Sequence, residues 1–405
     1  MNEQNIFELL REPYHLPKKV KLFEAFAGIG CQRMAFNRLG IEVDPIGISE
    51  IDKYAIQSYN AIHGDTKNWG SICDIKGQDL PQIDVFTYSF PCTDLSKAGK
   101  QAGLNSTRSG LVYAVLRILQ ELKQVDRLPK CLIMENVVDL VQVKFIRQFQ
   151  EIQLELEQLG YSNYAQTLNA KNYGVAQNRD RIFMVSVLGD KYYEFPKPIK
   201  LEKRLKDYLE NYVDEKYYLS DKQITSYKES SYACMQREND VNGICQTLDT
   251  MQGENREPKI IEPTCLNSKV NGKQPSLQDR IYDSESISTA ITTGFMPSIK
   301  IPEDTKKGYS EACEGDGVYI NRPQQKRGVV QKQMIQTLKT GCADVGVVEN
   351  MRIRKLTEKE CGRLMGVNDD EIDKMKSVVS RSQMYKQFGN GIVVDVFAAI
   401  IKNLI

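Results

Sequence analysis

Histidine is almost missing from this 405-residue chain, which carries only His15 and His63. Cys–His zinc sites and Ser–His or Cys–His catalytic pairs therefore lack material, and acid–base work falls to carboxylates, arginine, cysteine or water. The ten cysteines are scattered, with no Cys-x-x-Cys pair. That excludes a disulfide framework and a structural zinc site as readings and points to a reducing, cytoplasmic setting with no metal. No apolar run approaches the ~18 residues of a spanning helix, so no membrane is expected. The acidic start, Met1–Leu10, has too short an apolar run for a secretory signal. Net charge is +1, so a nucleic-acid partner would need a local basic face rather than a global one. What remains, at 41% hydrophobic and 26% charged residues, is a globular chain with room for two or three domains.

One stretch organises the rest: Thr87-Tyr-Ser-Phe-Pro-Cys-Thr-Asp-Leu-Ser-Lys-Ala-Gly99. The apolar run Ile83–Tyr88 reads as a buried strand, stopped at Pro91, which has no N–H for a ladder. Cys92 then stands at the carboxyl edge of a parallel strand, where open α/β sheets hold their ligands. A loop with Gly99 and Gly103, and with Lys97 and Lys100 at its tip, follows. Taken alone, Cys92 also reads as a buried, inert thiol.

Around this strand the first half alternates β and α. Residues 1–19 are expected to form a short amphipathic helix ended by Pro13 and Pro17. Val20–Phe26 reads as a strand, Ala27-Gly28-Ile29-Gly30 as a turn, and Cys31–Gly40 as a helix with a glycine stop. Such a turn before a helix N-terminus can hold a ligand against the backbone, or be a plain tight turn. The second strand, Asp44–Glu50, ends in a carboxylate about 20 residues beyond the glycines, where ribose hydroxyls are held in this layout. Asp74, after Ile72, is expected at a third strand end, facing an adenine amino group. Leu111–Gln124 has one apolar face. Lys130–Met134 is a buried strand ending in Glu135-Asn136-Val137, and Phe145–Leu159 is a helix closed by Gly160. Arg179 and Arg181 lead into the strand Ile182–Val187 and, two apart in extended chain, point to one side. One crevice thus gathers a thiol, a carboxyl, two guanidinium groups and a nucleoside pocket, a set suited to conjugate addition to an electron-poor ring.

In this order, from about Val20 to the end, these residues resemble the C5-cytosine DNA methyltransferase family, bacterial or phage type. The resemblance rests on Phe26-Ala-Gly-Ile-Gly30, Glu50, Asp74, Ser89-Phe-Pro-Cys92, Glu135-Asn-Val137, Gln177-x-Arg179-x-Arg181, Arg354–Glu360 with Arg363–Gly366, and Tyr385–Val393. The amino-methyltransferase signature Asp/Asn-Pro-Pro-Tyr/Phe is absent. The resemblance implies an α/β, Rossmann-like S-adenosylmethionine-dependent methyltransferase domain with a smaller, β-rich target-recognition domain. The implied bounds are 1–195 plus 380–405 for the catalytic domain and 196–379 for target recognition. It further implies that Cys92 attacks C6 of a cytosine flipped out of double-stranded DNA. Glu135 meets N3 and the exocyclic amino group, Arg181 contacts O2 and Arg179 assists. Cofactor contacts are implied for Phe26, Gly28, Ile29, Gly30, Glu50, Ile51, Asp74, Ile75, Pro91, Leu111, Asn390, Gly391 and Ile392. DNA contacts are implied for Lys97, Lys100, Arg108 and Thr337. Thr93 and Gly391 depart from the family's commoner Gln and Ser, which puts one backbone or phosphate contact and one cofactor hydrogen bond in question. A monomer, with a cognate restriction endonuclease as the possible partner, completes the expectation.

From about Pro196 the texture changes, and a near-repeat emerges: Gln246–Thr250, Thr289–Thr293 and Gln336–Thr340, each followed by a short apolar segment. Each reads as a polar loop between two short strands, so this region is expected to be β-rich. Between Asp316 and Lys355, Arg322, Lys326, Arg327, Lys332 and Lys339 outnumber acids, the best local sign of a phosphate-facing surface. Residues Ile392–Ile401 are expected to form a last helix returning to the first domain. An RNA cytosine-5 methyltransferase of the same fold is the alternative; the bulk of the second domain favours a duplex reader. A catalytically silent DNA-binding protein is the other, and it would be expected to lose Cys92, Glu135 or Arg181.

Overall fold

The computed structural model describes residues 11–91, 111–203, 205–217, 298–313, 315–320, 322, 324–338, 344–349 and 352–405. The chain divides into two compact units, Met1–Glu202 with Cys361–Ile405, and Lys203–Glu360.

The first unit is built on six strands: β1 (Lys19–Ala25), β2 (Glu42–Ser49), β3 (Val85–Tyr88), β4 (Cys131–Asn136), β5 (Tyr161–Asn169) and β6 (Asp180–Leu188). They stand in the order β2-β1-β3-β4-β6-β5. β2, β1, β3 and β4 are parallel, and β6 runs antiparallel between β4 and β5. All of Val85–Tyr88 and all of Cys131–Asn136 are buried, the expected consequence of a parallel sheet covered on both faces. The covering helices are α1 (Cys31–Arg38), α2 (Lys53–His63), α3 (Leu111–Gln124) and α4 (Ile146–Leu159), then α5 (Asp369–Val378), α6 (Arg381–Asn390) and α7 (Val394–Lys402). α3 buries Val112, Val115, Leu116, Ile118, Leu119 and Leu122, one stripe at helical spacing. α4 stops where Gly160 takes a left-handed φ of 106°. α7 packs against α1, so the end of the sequence does return to the first unit. Among the described residues no helix is long and apolar enough to cross a membrane.

The chain steps from β1 to β2 on one side and comes back to β3 on the other. Such a reversal leaves a crevice at the carboxyl ends of β1 and β3. The register aligns that edge: Ala25 is level with Ser49 and Tyr88, Tyr88 with Met134, and Glu135 with Phe183. Because β6 is antiparallel, its first residues rather than its last meet this edge.

Three expectations need correction. The helix foreseen over residues 1–19 is not present in the described part: Glu12–Pro13 instead pairs in parallel with Lys191–Tyr192, and Leu16 N–H donates to the Leu404 carbonyl at 2.6 Å. Residues 1–10 lie outside the described residues. Asp74 does not end a strand. It closes a turn over Ile72–Asp74, and the strand-like contact beyond β2 is a single parallel bridge from Ile48 to Asn68. The first unit resumes at Cys361, earlier than the position 380 expected, because α5 packs against α2.

The second unit, as described, is β-rich. A hairpin of β7 (Ser298–Pro302) and β8 (Tyr309–Cys313) precedes an antiparallel sheet ordered β10-β9-β11-β12, formed by β9 (Gly317–Tyr319), β10 (Val330–Gln331), β11 (Val345–Glu349) and β12 (Arg352–Lys355). Asp316 is almost fully buried and accepts from the backbone of Cys313 and Gln333 at 2.7 and 2.9 Å. Of the three repeats, Gln246–Thr250 and Thr289–Thr293 lie outside the described residues, as do the last two residues of Gln336–Thr340, whose first residue ends the short strand Ile335–Gln336. The basic run is partly offset: Arg322 pairs with Asp344, Lys332 with Asp316 at 2.9 Å, and Lys326 lies 4.0 Å from Asp304.

Candidate active site

The turn after β1 is shaped by three residues in left-handed backbone, Phe26 (φ 56°), Gly28 (φ 57°) and Gly30 (φ 78°). The two glycines are needed for different reasons. A Cβ on Gly28 would meet nothing within 4 Å, so this residue leaves the backbone bare toward the crevice. A Cβ on Gly30 would sit 2.4 Å from His63 Nε2 and 2.6 Å from a Tyr59 ring carbon. Gly30→Ala is therefore expected to lower unfolding stability by about 2 kcal/mol, against about 1 kcal/mol for Gly28→Ala, where only the backbone conformation is strained. Urea unfolding of the two variants checks the order.

Glu50, at the end of β2, is fixed by the turn it serves. Its carboxylate accepts from Gly28 N–H at 2.9 Å, and from Ile51 and Asp52 N–H at 2.8 and 2.9 Å. Asn68 holds the Glu50 backbone from the far side, donating to its carbonyl at 2.9 Å. Beneath the turn, Glu24 is buried and accepts from the Tyr59 hydroxyl at 2.5 Å and from Arg33 N–H at 3.3 Å. Gly30 has no side chain with which to cap α1, and the Glu24 carboxylate reaches over from β1 to the first turn of that helix.

On the other side of the crevice the ends of β3, β4 and β6 meet. Glu135 is 7% exposed; one carboxylate oxygen accepts from Ser89 Oγ at 2.9 Å and the other pairs with Arg181 Nε at 3.0 Å. Asn136 donates to the Phe90 carbonyl at 3.2 Å, which anchors the chain just before Pro91. Arg179 is 2% exposed and donates through Nη2 to the carbonyls of Gly389 and Gly391 at 3.1 and 2.7 Å. The two arginines line one cavity but hold different partners there.

These elements enclose a cavity of about 400 Å³, within the range of small-molecule sites. Phe26, Gly28, Ile29, Glu50, Ile51, Pro91 and Leu111 line it, as do Glu135, Arg179, Arg181, Asn390, Gly391 and Ile392. Gly30, Asp74 and Ile75 do not; Asp74 is exposed, and Ser71 and Ile72 form that part of the wall. Cys92, Lys97, Lys100 and Arg108 lie outside the described residues, while Thr337 belongs to the second unit and follows Ile335–Gln336. Sequence reasoning gave no role to Ser89 or Asn136, although both sat inside quoted motifs. It missed Lys386 and Gln387, whose pairing with Asp52 (2.6 Å) and Ser58 (2.8 Å) ties α6 to α2. No local signal marks such pairs, since more than three hundred residues separate the partners.

The site can bind a nucleoside-bearing ligand along bare backbone and present a carboxylate and a guanidinium beside it. Comparison with known proteins places the chain among relatives. The family described as C-5 cytosine-specific DNA methylase matches residues 20–405. The type II methyltransferase M2.ScrFI of Lactococcus lactis subsp. cremoris is 29% identical, over 95% of this chain and 99% of that one. The orphan methyltransferase M.SPRI of Bacillus phage SPR is 28% identical, over 96% and 98%. Among solved structures, the S. pombe Dnmt2 methyltransferase superposes with a TM-score of 0.56 at 18% identity, covering 95% of this chain and 98% of that one, a likeness of fold.

Proposed function

We propose, from the premise that this chain belongs to the C-5 cytosine-specific DNA methylase family and is a DNA (cytosine-5) methyltransferase, a division of labour among the residues around its crevice. The observation that carries it is the Glu135–Arg181 pair with Ser89, set beside the glycine turn and Glu50 in one cavity.

S-adenosylmethionine fits the residues present: Gly28 leaves backbone open to a ligand, and Glu50 stands at the strand end that suits ribose hydroxyls. When bound, it supplies an electrophilic methyl group. Gly28, Ile29, Glu50 and Ile51 would hold its nucleoside part, and Asn390–Ile392 the amino-acid end. Arg179 fixes the backbone of that second segment through Gly389 and Gly391, so we assign it to positioning rather than to the base.

The target is a cytosine flipped out of double-stranded DNA. Cys92, immediately after the Pro91 that Asn136 anchors through Phe90, adds as thiolate to C6 while N3 takes the proton of the Glu135 carboxyl. Once C5 carries the methyl group, loss of the C5 proton expels the Cys92 thiolate and restores the ring. Glu135 faces N3 and the exocyclic amino group. Ser89 and Arg181 each engage a different carboxylate oxygen, which fixes its plane; one oxygen is left to carry the proton donated to N3 and the other to accept from the exocyclic amino group. Arg181 contacts O2 from the same side. Lys97, Lys100, Arg108 and Thr337 would contact DNA, and 203–360 would read the sequence.

Labelled S-adenosylmethionine and unmethylated duplex DNA test this directly. The expected result is label recovered as 5-methylcytosine, with none passed to RNA of the same sequence. On duplexes carrying 5-fluorocytosine, whose fluorine cannot leave as a proton, the protein should remain joined to DNA through Cys92. Transfer to RNA alone would replace this reading with the RNA one, and an adduct at another residue would remove Cys92 from the reaction.

A further inference from the structure

α3 begins at Leu111, which lines the cavity, and two turns later carries Arg117. That guanidinium does not face solvent freely. Its Nη2 lies 3.5, 3.1 and 2.9 Å from the carbonyl oxygens of Ile72, Cys73 and Ile75. Its Nη1 donates to Glu121 Oε1 at 2.7 Å, one helical turn on. The other oxygen of Glu121 accepts from Gly77 N–H at 2.5 Å. Gly77 has no space for a side chain, since a Cβ there would come within 2.5 Å of the Ile118 carbonyl and 2.9 Å of Glu121 Cβ. One Arg–Glu pair on a rigid helix therefore grips the segment 72–77 by four backbone groups.

We infer that Arg117, with Glu121, is a positioning residue for the cofactor: it sets the segment 71–77 against the adenine end of the cavity. The inference rests on the S-adenosylmethionine reading above. Ser71 and Ile72 form cavity wall, and the carbonyls just after them all point at one cation. Three carbonyl dipoles converging on one point repel one another unless a donor satisfies them. Only a forked, planar cation reaches that cluster and a carboxylate at once; a lysine ammonium is a single point and serves one or the other. The grip touches neither the reacting atoms nor the amino-acid end of the cofactor. Its loss should therefore be felt in nucleoside affinity and not in chemistry.

The test is Arg117→Lys in the full-length enzyme, with Glu121→Gln beside it. Calorimetry gives Kd for S-adenosylhomocysteine and for adenosine, and steady-state methyl transfer gives KM for the cofactor and kcat. Arg117→Lys is expected to weaken S-adenosylhomocysteine and adenosine by the same factor, about tenfold for one lost charge-assisted contact. The cofactor KM should rise by that factor, and kcat at saturating cofactor should stay within twofold. Glu121→Gln should move the same quantities in the same direction by less, since glutamine still accepts from Gly77; it carries the test alone if Arg117→Lys does not fold. An unchanged KM, a fall in kcat without a rise in KM, or weakening of S-adenosylhomocysteine while adenosine binds normally would each overturn the assignment. Failure of the wild type to bind either ligand would instead overturn the cofactor reading itself.

Discussion

Glu135→Gln is expected to lower the rate of methyl transfer by about a hundredfold to ten-thousandfold, the usual range for a positioned acid–base group, while the protein stays folded and binds cofactor. The surroundings explain why the fold should tolerate the change. Glu135 is ion-paired with Arg181 Nε and takes one hydrogen bond from Ser89 Oγ. A glutamine can keep its oxygen toward Arg181 and turn its amide nitrogen to Ser89, because a hydroxyl accepts as well as donates. The charge opposite Arg181 is lost, as is the second oxygen that could meet the base. Glu135→Ala should behave differently: it strips a half-buried guanidinium of its carboxylate, and leaving such a polar group without its partner costs about 1–3 kcal/mol of stability. Single-turnover transfer to duplex DNA, a thermal melt and S-adenosylhomocysteine calorimetry on both variants separate these effects. A glutamine variant that transfers at the wild-type rate would remove Glu135 from the base-binding role.

Much of this site could be read in the sequence because its residues stand at the ends of strongly patterned elements. The bounds of α3 follow from apolar spacing, and the glycine turn, Glu50 and Glu135 follow from strand runs that stop abruptly. What escaped depends on contacts that no local pattern encodes. Glu12–Pro13 is extended because Lys191–Tyr192 lies beside it. The Ile72–Asp74 segment looked like a strand end because Ile72 is apolar. It is a turn gripped from α3, and Ile72 is buried through that docking. The partners that Arg179 finds in Gly389 and Gly391, some two hundred residues on, could not be read from its spacing to Arg181. In the second unit, charge counted along the chain overstated the positive face, since Arg322 and Lys332 meet Asp344 and Asp316 once folded.

The second large effect concerns the buried groups under the glycine turn and how they respond to pH. Burial pushes the Glu24 carboxyl up to about 7, opposed by the hydrogen bond from Tyr59 and by the Arg33 charge and backbone N–H. Burial holds His63 down to about 4, with the Arg33 charge adding to it and the carbonyls of Ile29 and Gly30 opposing. Between the ordinary carboxyl value of 4.5 and about 7, folded Glu24 keeps a proton that the unfolded chain releases. Stability from this group is thus full below 4.5 and falls as pH rises to 7, by about 3 kcal/mol. His63 works in the opposite sense: below its ordinary value of 6.5 the unfolded chain takes up a proton that the folded one refuses until about 4. Its contribution is full above 6.5 and falls, by about the same amount, as pH drops to 4. Across the overlap the two slopes oppose each other, so wild type should show little net dependence from this cluster. Glu24→Gln removes one of them. Its stability relative to wild type should rise steadily from pH 4.5 to 7, whatever constant offset the altered contact to the Tyr59 hydroxyl introduces. His63→Gln should gain relative to wild type in the other direction, as pH falls from 6.5 to 4. Urea unfolding at half-unit steps from pH 4 to 8 reads both differences. Parallel curves for Glu24→Gln and wild type would mean that Glu24 titrates as an ordinary carboxyl, and would leave capping of α1 as its whole role.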